Sequence, residues 1–172
     1  MVFSSVFEHN ANLIPWRETG ATVVLVPMTE MGDFDYDYLE TKLKHYKTHN
    51  SLKIGAFSAG SNITGTIFDV DRIAVMCHKA GALAVFDYAA TSPYMDINVT
   101  GPTSDSFPPV SDQALAYKDA IILSPHKLVG GPGSSGVLIA KKEILTSPKP
   151  HRLGGGIVFF VNEMDHEFVS DK

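Results

Sequence analysis

An α/β fold built on a mostly parallel sheet, with helices on both faces, is the class this sequence predicts, and three observations predict it. Short apolar runs alternate with segments of helical periodicity along most of the chain. Two of the runs, Ala82-Leu83-Ala84-Val85-Phe86 and Ala120-Ile121-Ile122-Leu123, are apolar without interruption, the pattern of strands buried on both faces of a parallel sheet. The chain has 172 residues, 44% hydrophobic and 19% charged, which is enough for one domain with a sizeable core.

The elements follow in order. Met1-Val2-Phe3-Ser4-Ser5-Val6-Phe7 is apolar, too short for a signal peptide and without a basic leader, and reads as a first strand. Residues 10–18 read as a helix that Gly20 ends, and residues 21–27 as a strand. Leu39, Leu43 and Tyr46 stand at helical spacing within residues 36–48, and residues 52–57 form the next strand. Asp69 and Gly81 bracket an amphipathic helix with Ile73, Met76 and Cys77 on one face. A strand ending in Asp87, a long loop, and a strand ending at Ser124 come next, and residues 136–140 are expected to pair antiparallel as a further strand. The loop from Thr91 to Ser111 carries Pro93, Pro102, Pro108 and Pro109 and shows no periodicity. Loops of that length are usually functional, so it is expected to line a substrate entrance. Beyond Ser147, Gly154-Gly155-Gly156 leads into the apolar Ile157-Val158-Phe159-Phe160-Val161, for which the sequence offers no partner.

Composition excludes several classes. A net charge of −5 without a Lys/Arg cluster argues against a nucleic-acid partner. No run approaches the twenty or so apolar residues of a membrane span. One cysteine allows no internal disulfide, which fits a reducing compartment, and the expected location is the cytoplasm. Cys77 itself reads as a small packed hydrophobe rather than a nucleophile. The glycines give neither a G-x-G-x-x-G after a strand nor the Lys-Ser/Thr of a P-loop, so a nucleotide-binding domain survives only as fold-level analogy.

The chemistry concentrates at two strand ends. Lys127 lies in Ser124-Pro125-His126-Lys127, directly after an apolar run and before Gly130-Gly131-Pro132-Gly133. An amine beside a serine, a histidine and several glycines has the makings of a pyridoxal-phosphate anchor, with the amine forming an imine and the neighbours holding a phosphate. Asp87 ends a nearly all-apolar strand, where open α/β sheets bind ligands; a carboxylate there can keep a pyridine nitrogen protonated. The plainer readings are a surface lysine on a turn and a helix-capping aspartate.

Four segments in sequence resemble the large-domain core of the class V aminotransferase group, the fold-type I pyridoxal-phosphate enzymes that include cysteine desulfurases and selenocysteine lyases. They are Glu8-His9-Asn10-Ala11-Asn12-Leu13-Ile14-Pro15-Trp16, Ser61-Asn62-Ile63-Thr64-Gly65, Phe86-Asp87-Tyr88-Ala89-Ala90, and Ser124-Pro125-His126-Lys127 with its glycines. The resemblance implies Lys127 as the imine lysine, Asp87 as partner of the pyridine nitrogen, and His9 as the ring that stacks on the cofactor. It implies Asn62 near the ring oxygen and the substrate carboxylate, Ser124 and His126 as phosphate donors, an amino-acid substrate, and a homodimer when full length. Ala90 departs from the glutamine that desulfurases carry three positions after the aspartate, which separates this chain from their pattern. Residues 1–172 are therefore expected to form a partial cofactor-binding large domain, without the family's preceding phosphate loop or its C-terminal small domain. The competing expectation is an inactive fragment acting only by association.

Overall fold

Five parallel strands and one antiparallel strand form the main sheet, in the order β2-β1-β3-β4-β5-β6. The structure, a computed structural model, describes residues 1–103, 111–146 and 154–169, and the chain divides into two units at Ala140/Lys141. In the first unit the strands are β1 (Val2–Ser5), β2 (Val23–Val26), β3 (Ile54–Ser58), β4 (Leu83–Asp87), β5 (Ala120–Leu123) and β6 (Val137–Ala140). Three helices, α1 (Asn10–Glu18), α2 (Tyr36–Tyr46) and α3 (Val70–Lys79), follow β1, β2 and β3. The second unit contains the antiparallel pair β7 (Val158–Val161) and β8 (His166–Phe168). β8 supplies a partner for the apolar run, which the sequence left without one. Residues 104–110, within the long loop, and 147–153, before the Gly154 run, lie outside the described residues.

Local chemistry fixes the helices. The Asp35 carboxylate accepts the Tyr38 N–H at 2.8 Å, and the Asp69 carboxylate accepts the Arg72 N–H at 2.9 Å, so each helix start has its cap. α3 then lays Ile73, Ala74 and Cys77 onto the sheet, where Phe3, Phe57, Phe86 and Tyr88 are wholly buried. The contact is close enough to require glycine at position 55. A Cβ there would stand 2.6 Å from the Cys77 sulfur and 2.9 Å from the Phe57 ring.

Cys77 is therefore core, as its helical position implied. Burial pushes its thiol from an ordinary 9.0 up to about 12, with the Asp119 charge adding to the same effect. The neutral thiol is the form that the fold favours. Its contribution is fully present below pH 9.0 and is lost as pH rises from there toward about 12. Native protein is expected to resist a thiol-reactive dye near neutral pH and to react after denaturation. Cys77→Ser is expected to cost about 1–3 kcal/mol in chemical denaturation, because a hydroxyl replaces a sulfur in an apolar site. Rapid labelling of the folded chain would show that the thiol is accessible.

The loop after β4 differs from expectation. Met95, Ile97 and Val99 pack against the core, Gly101 accepts a hydrogen bond from the Lys118 ammonium at 3.0 Å, and the Thr103 N–H donates to the Asp71 carboxylate at 2.7 Å. These bonds tie the segment to α3 and to the residues before β5. None of its described residues 91–103 lines the cavity at the strand ends, so the described part does not form the expected entrance there.

Candidate active site

The chain reverses direction of winding at β1: β2 lies on one side of it and β3 on the other. In such a sheet the diverging connections leave a crevice beyond the carboxyl ends of the strands. A cavity of about 380 Å³ occupies that edge. Its lining comes from the ends of β1, β3, β4 and β5, and His9, Asn62, Asp87, Ser124, His126 and Lys127 all belong to it. Strand register explains part of this gathering. Ser58 pairs with Asp87 across β3–β4, and Asp87 with Ile122 across β4–β5, so the three residues form one row and all reach the cavity.

Each side chain is held by its own local structure. His9 is the N-cap of α1, where its Nδ1 accepts the Ala11 N–H at 3.2 Å. That bond requires a lone pair on Nδ1, so in the neutral ring the proton sits on Nε2. Asp87 accepts the Ala89 N–H at 2.8 Å through Oδ1, which turns the chain directly after β4. Asn62 stands on a turn in which Ser61 Oγ accepts the N–H groups of Ile63 and Thr64 at 3.2 and 3.1 Å. Ser124 precedes a single 3-10 turn, Pro125–Lys127, closed by the Lys127 N–H on the Ser124 carbonyl at 2.9 Å.

The turn that carries Lys127 depends on the glycine run behind it. A Cβ on Gly131 would fall 1.9 Å from the Pro125 carbonyl oxygen, so no larger residue fits without moving the backbone. Lys127 lines the cavity, while Lys53 spends its ammonium on the His49 and Ser51 carbonyls and Lys118 is buried against Asp71.

The cavity also contains residues that the sequence did not single out. Asn12 and Ser58 are buried polar groups on its wall, and Ala11, Gly60, Ala89 and Ile122 complete it. Ser58 carried the same signal as Asp87, a polar residue closing an apolar strand. Ala90 lines the cavity as well, so the departure noted in the sequence lies at the site. A larger cleft of about 580 Å³ lies along α2 and α3 over Leu43, Val75 and Met76. Size alone would favour it. Two of its lysines face acids, Lys44 on Glu40 at 2.8 Å and Lys79 on Asp112, and the smaller cavity has the convergent reactive groups.

The comparisons bear on family and fold. The family model described as "Aminotransferase class-V" matches residues 2–171. A Halalkalibacterium halodurans protein named "Probable cysteine desulfurase" is 33% identical over 162 residues, covering 92% of this chain and 35% of its own length. "Probable cysteine desulfurase 2" of Mycobacterium leprae is 30% identical over 162 residues, covering 92% of this chain and 34% of its own. Among solved structures, a cysteine desulfurase from Escherichia coli superposes with a TM-score of 0.70 at 31% identity, covering 98% of this chain and 38% of that one. A Thermococcus onnurineus cysteine desulfurase, at 24% identity and a TM-score of 0.73, shares the fold. The chain spans about a third of the length of these relatives. With a family model matched over nearly every residue and relatives at 30% identity or more over 92% of its length, this chain belongs to the class-V aminotransferase family.

Proposed function

We propose that the protein is a pyridoxal-phosphate enzyme of transferase or lyase type acting on an amino acid, with Lys127 as the covalent anchor. The observation that supports this most is a single cavity combining an amine, a carboxylate, imidazoles and a hydroxyl from segments as distant as His9 and Lys127. That donor set fits the cofactor's own chemistry. It offers an amine for an aldehyde, a carboxylate for a protonated ring nitrogen, and hydroxyl and imidazole donors for a phosphate. When bound, the cofactor supplies an electron sink for charge left on the substrate's α carbon.

The chain's own groups then divide the work. Asp87, whose Oδ1 accepts the Ala89 N–H, would hold the ring nitrogen and favour its protonated form. His9 provides a flat ring whose Nδ1 is already occupied, so stacking and an Nε2 proton are what it contributes. Ser124 and His126, on the cavity wall, would hold the phosphate, and Asn62 the ring oxygen or the substrate carboxylate. Lys127 Nζ takes and returns the proton at the substrate's α carbon. The relatives' names make cysteine the first substrate to try. Buried Cys77 is not a sulfur acceptor in this reading. The test is to titrate the full-length protein with pyridoxal phosphate and then screen amino acids for keto acid, sulfide and alanine. No visible-band binding at millimolar cofactor would overturn the proposal.

Assembly belongs to the same reading. Val6, Met28, Met31, Ile63 and Val129 are exposed apolar residues that follow the carboxyl ends of β1, β2, β3 and β5, the edge that also bears the cavity. Exposed apolar side chains crowded on one edge favour an interface, and a twofold one brings two cavities together. The full-length protein is expected to sediment as a homodimer, and Val129→Glu to weaken that dimer and cofactor retention together. A monodisperse monomer with tight cofactor binding would count against it. The alternative of an inactive fragment that only associates rests on the same patch and predicts association without any visible band.

A further inference from the structure

Glu8 has no contact with the cavity of its own, yet it gathers three side chains around the end of β1. Its Oε1 accepts from Ser5 Oγ at 2.5 Å, and its Oε2 accepts from Asn12 Nδ2 at 2.7 Å and from Ser58 Oγ at 2.7 Å. Asn12 and Ser58 both line the cavity, are at most 6% exposed, and come from α1 and β3. Oε2 thus couples the helix capped by His9 to the strand that ends beside Asp87. The direction of these bonds matters more than their number. A carboxylate only accepts, so the Ser58 hydroxyl must spend its single proton on Glu8. What Ser58 Oγ presents to the cavity is therefore lone pairs, next to its register partner Asp87.

We propose that Glu8 is a positioning residue that sets the hydrogen-bond polarity of the cavity's inner wall, making Ser58 a second acceptor beside Asp87, so that the pair selects a protonated nitrogen on the ligand. The proposal rests on the cofactor reading above, and it names the determinant that distinguishes a ring nitrogen from a ring carbon. Glu8→Gln changes one oxygen to a donor, which frees the Ser58 proton or turns a donor toward it. Ser58→Ala removes the acceptor and leaves Glu8 in place.

The test compares binding of pyridoxal phosphate with that of its deaza analogue, in which C–H replaces the ring nitrogen, to the full-length protein at neutral pH. Wild-type protein should prefer pyridoxal phosphate. Glu8→Gln and Ser58→Ala should each reduce that preference about tenfold, the worth of one hydrogen bond to a charged group, with little change for the analogue. The double variant should lose no more than either single one, because both act through Ser58 Oγ. An equal loss for both ligands would mean that Glu8 merely holds the fold, and an unchanged ratio in both variants would overturn the inference alone. Ser58→Ala carries the test if Glu8→Gln does not fold. Wild-type protein that binds neither compound would overturn the cofactor reading and this inference with it.

Discussion

Lys127→Ala is expected to abolish borohydride capture of pyridoxal phosphate by the full-length protein and to lower any turnover by roughly 10²–10⁴-fold from the proton-transfer role alone. Lys127 lies on an exposed 3-10 turn whose backbone bonds, Lys127 N–H to the Ser124 carbonyl and Leu128 N–H to the Pro125 carbonyl at 2.9 Å, do not involve the side chain. The substitution should therefore leave thermal unfolding nearly unchanged. Asp87→Asn should behave differently. Its label should persist because the amine is intact, while proton removal slows because a neutral amide no longer favours the protonated ring. Peptide mapping after reduction decides between these roles. A label on another lysine, or an undiminished label in Lys127→Ala, would remove the anchor from this turn and with it the roles given to Ser124 and His126.

How much of this was legible in the sequence depended on whether the determining interaction was local. α1, α2 and α3 could be read because their signals are local: Gly20 after the first, Leu39, Leu43 and Tyr46 at helical spacing in the second, and Asp69 and Gly81 bracketing the third, where Asp69 does cap the helix. β2, β4 and β5 could be read because their runs are apolar or nearly so, the pattern of strands inside a parallel sheet. Asp87 and Lys127 stood out as polar residues at or just after such runs, whereas Ser58, in the same situation, was not singled out. Its partner Glu8 is fifty residues away, and nothing in either neighbourhood announces the bond. The segment after β4 was misjudged for the same reason. Without periodicity it resembled a free loop, yet its described part is fixed by buried polar groups contributed from α3 and from Lys118.

Lys118→Met is expected to destabilise the protein by about 3–5 kcal/mol, the largest loss of stability that the described structure predicts. Lys118 and Asp71 are buried almost completely, with side chains 0% and 2% exposed, and their charged groups are in direct contact. Lys118 Nζ also donates to the Gly101 carbonyl, while Asp71 takes the Thr103 N–H, so the pair joins α3, the loop after β4 and the approach to β5. Two charges at this depth give little net stability over an apolar pair, because desolvation offsets most of their attraction. Removing one is a different matter, since the Asp71 carboxylate then remains buried without the ammonium that compensates it. Asp71→Asn should cost less than Lys118→Met, because an amide can still accept the Thr103 N–H and the cation can lean on Gly101. The paired substitution Asp71→Leu with Lys118→Met should recover part of the loss, a coupling that a double-mutant cycle in urea would measure directly. If Lys118→Met unfolds at the wild-type midpoint, the ion pair is not what holds this loop, and the packing of Met95, Ile97 and Val99 must hold it instead.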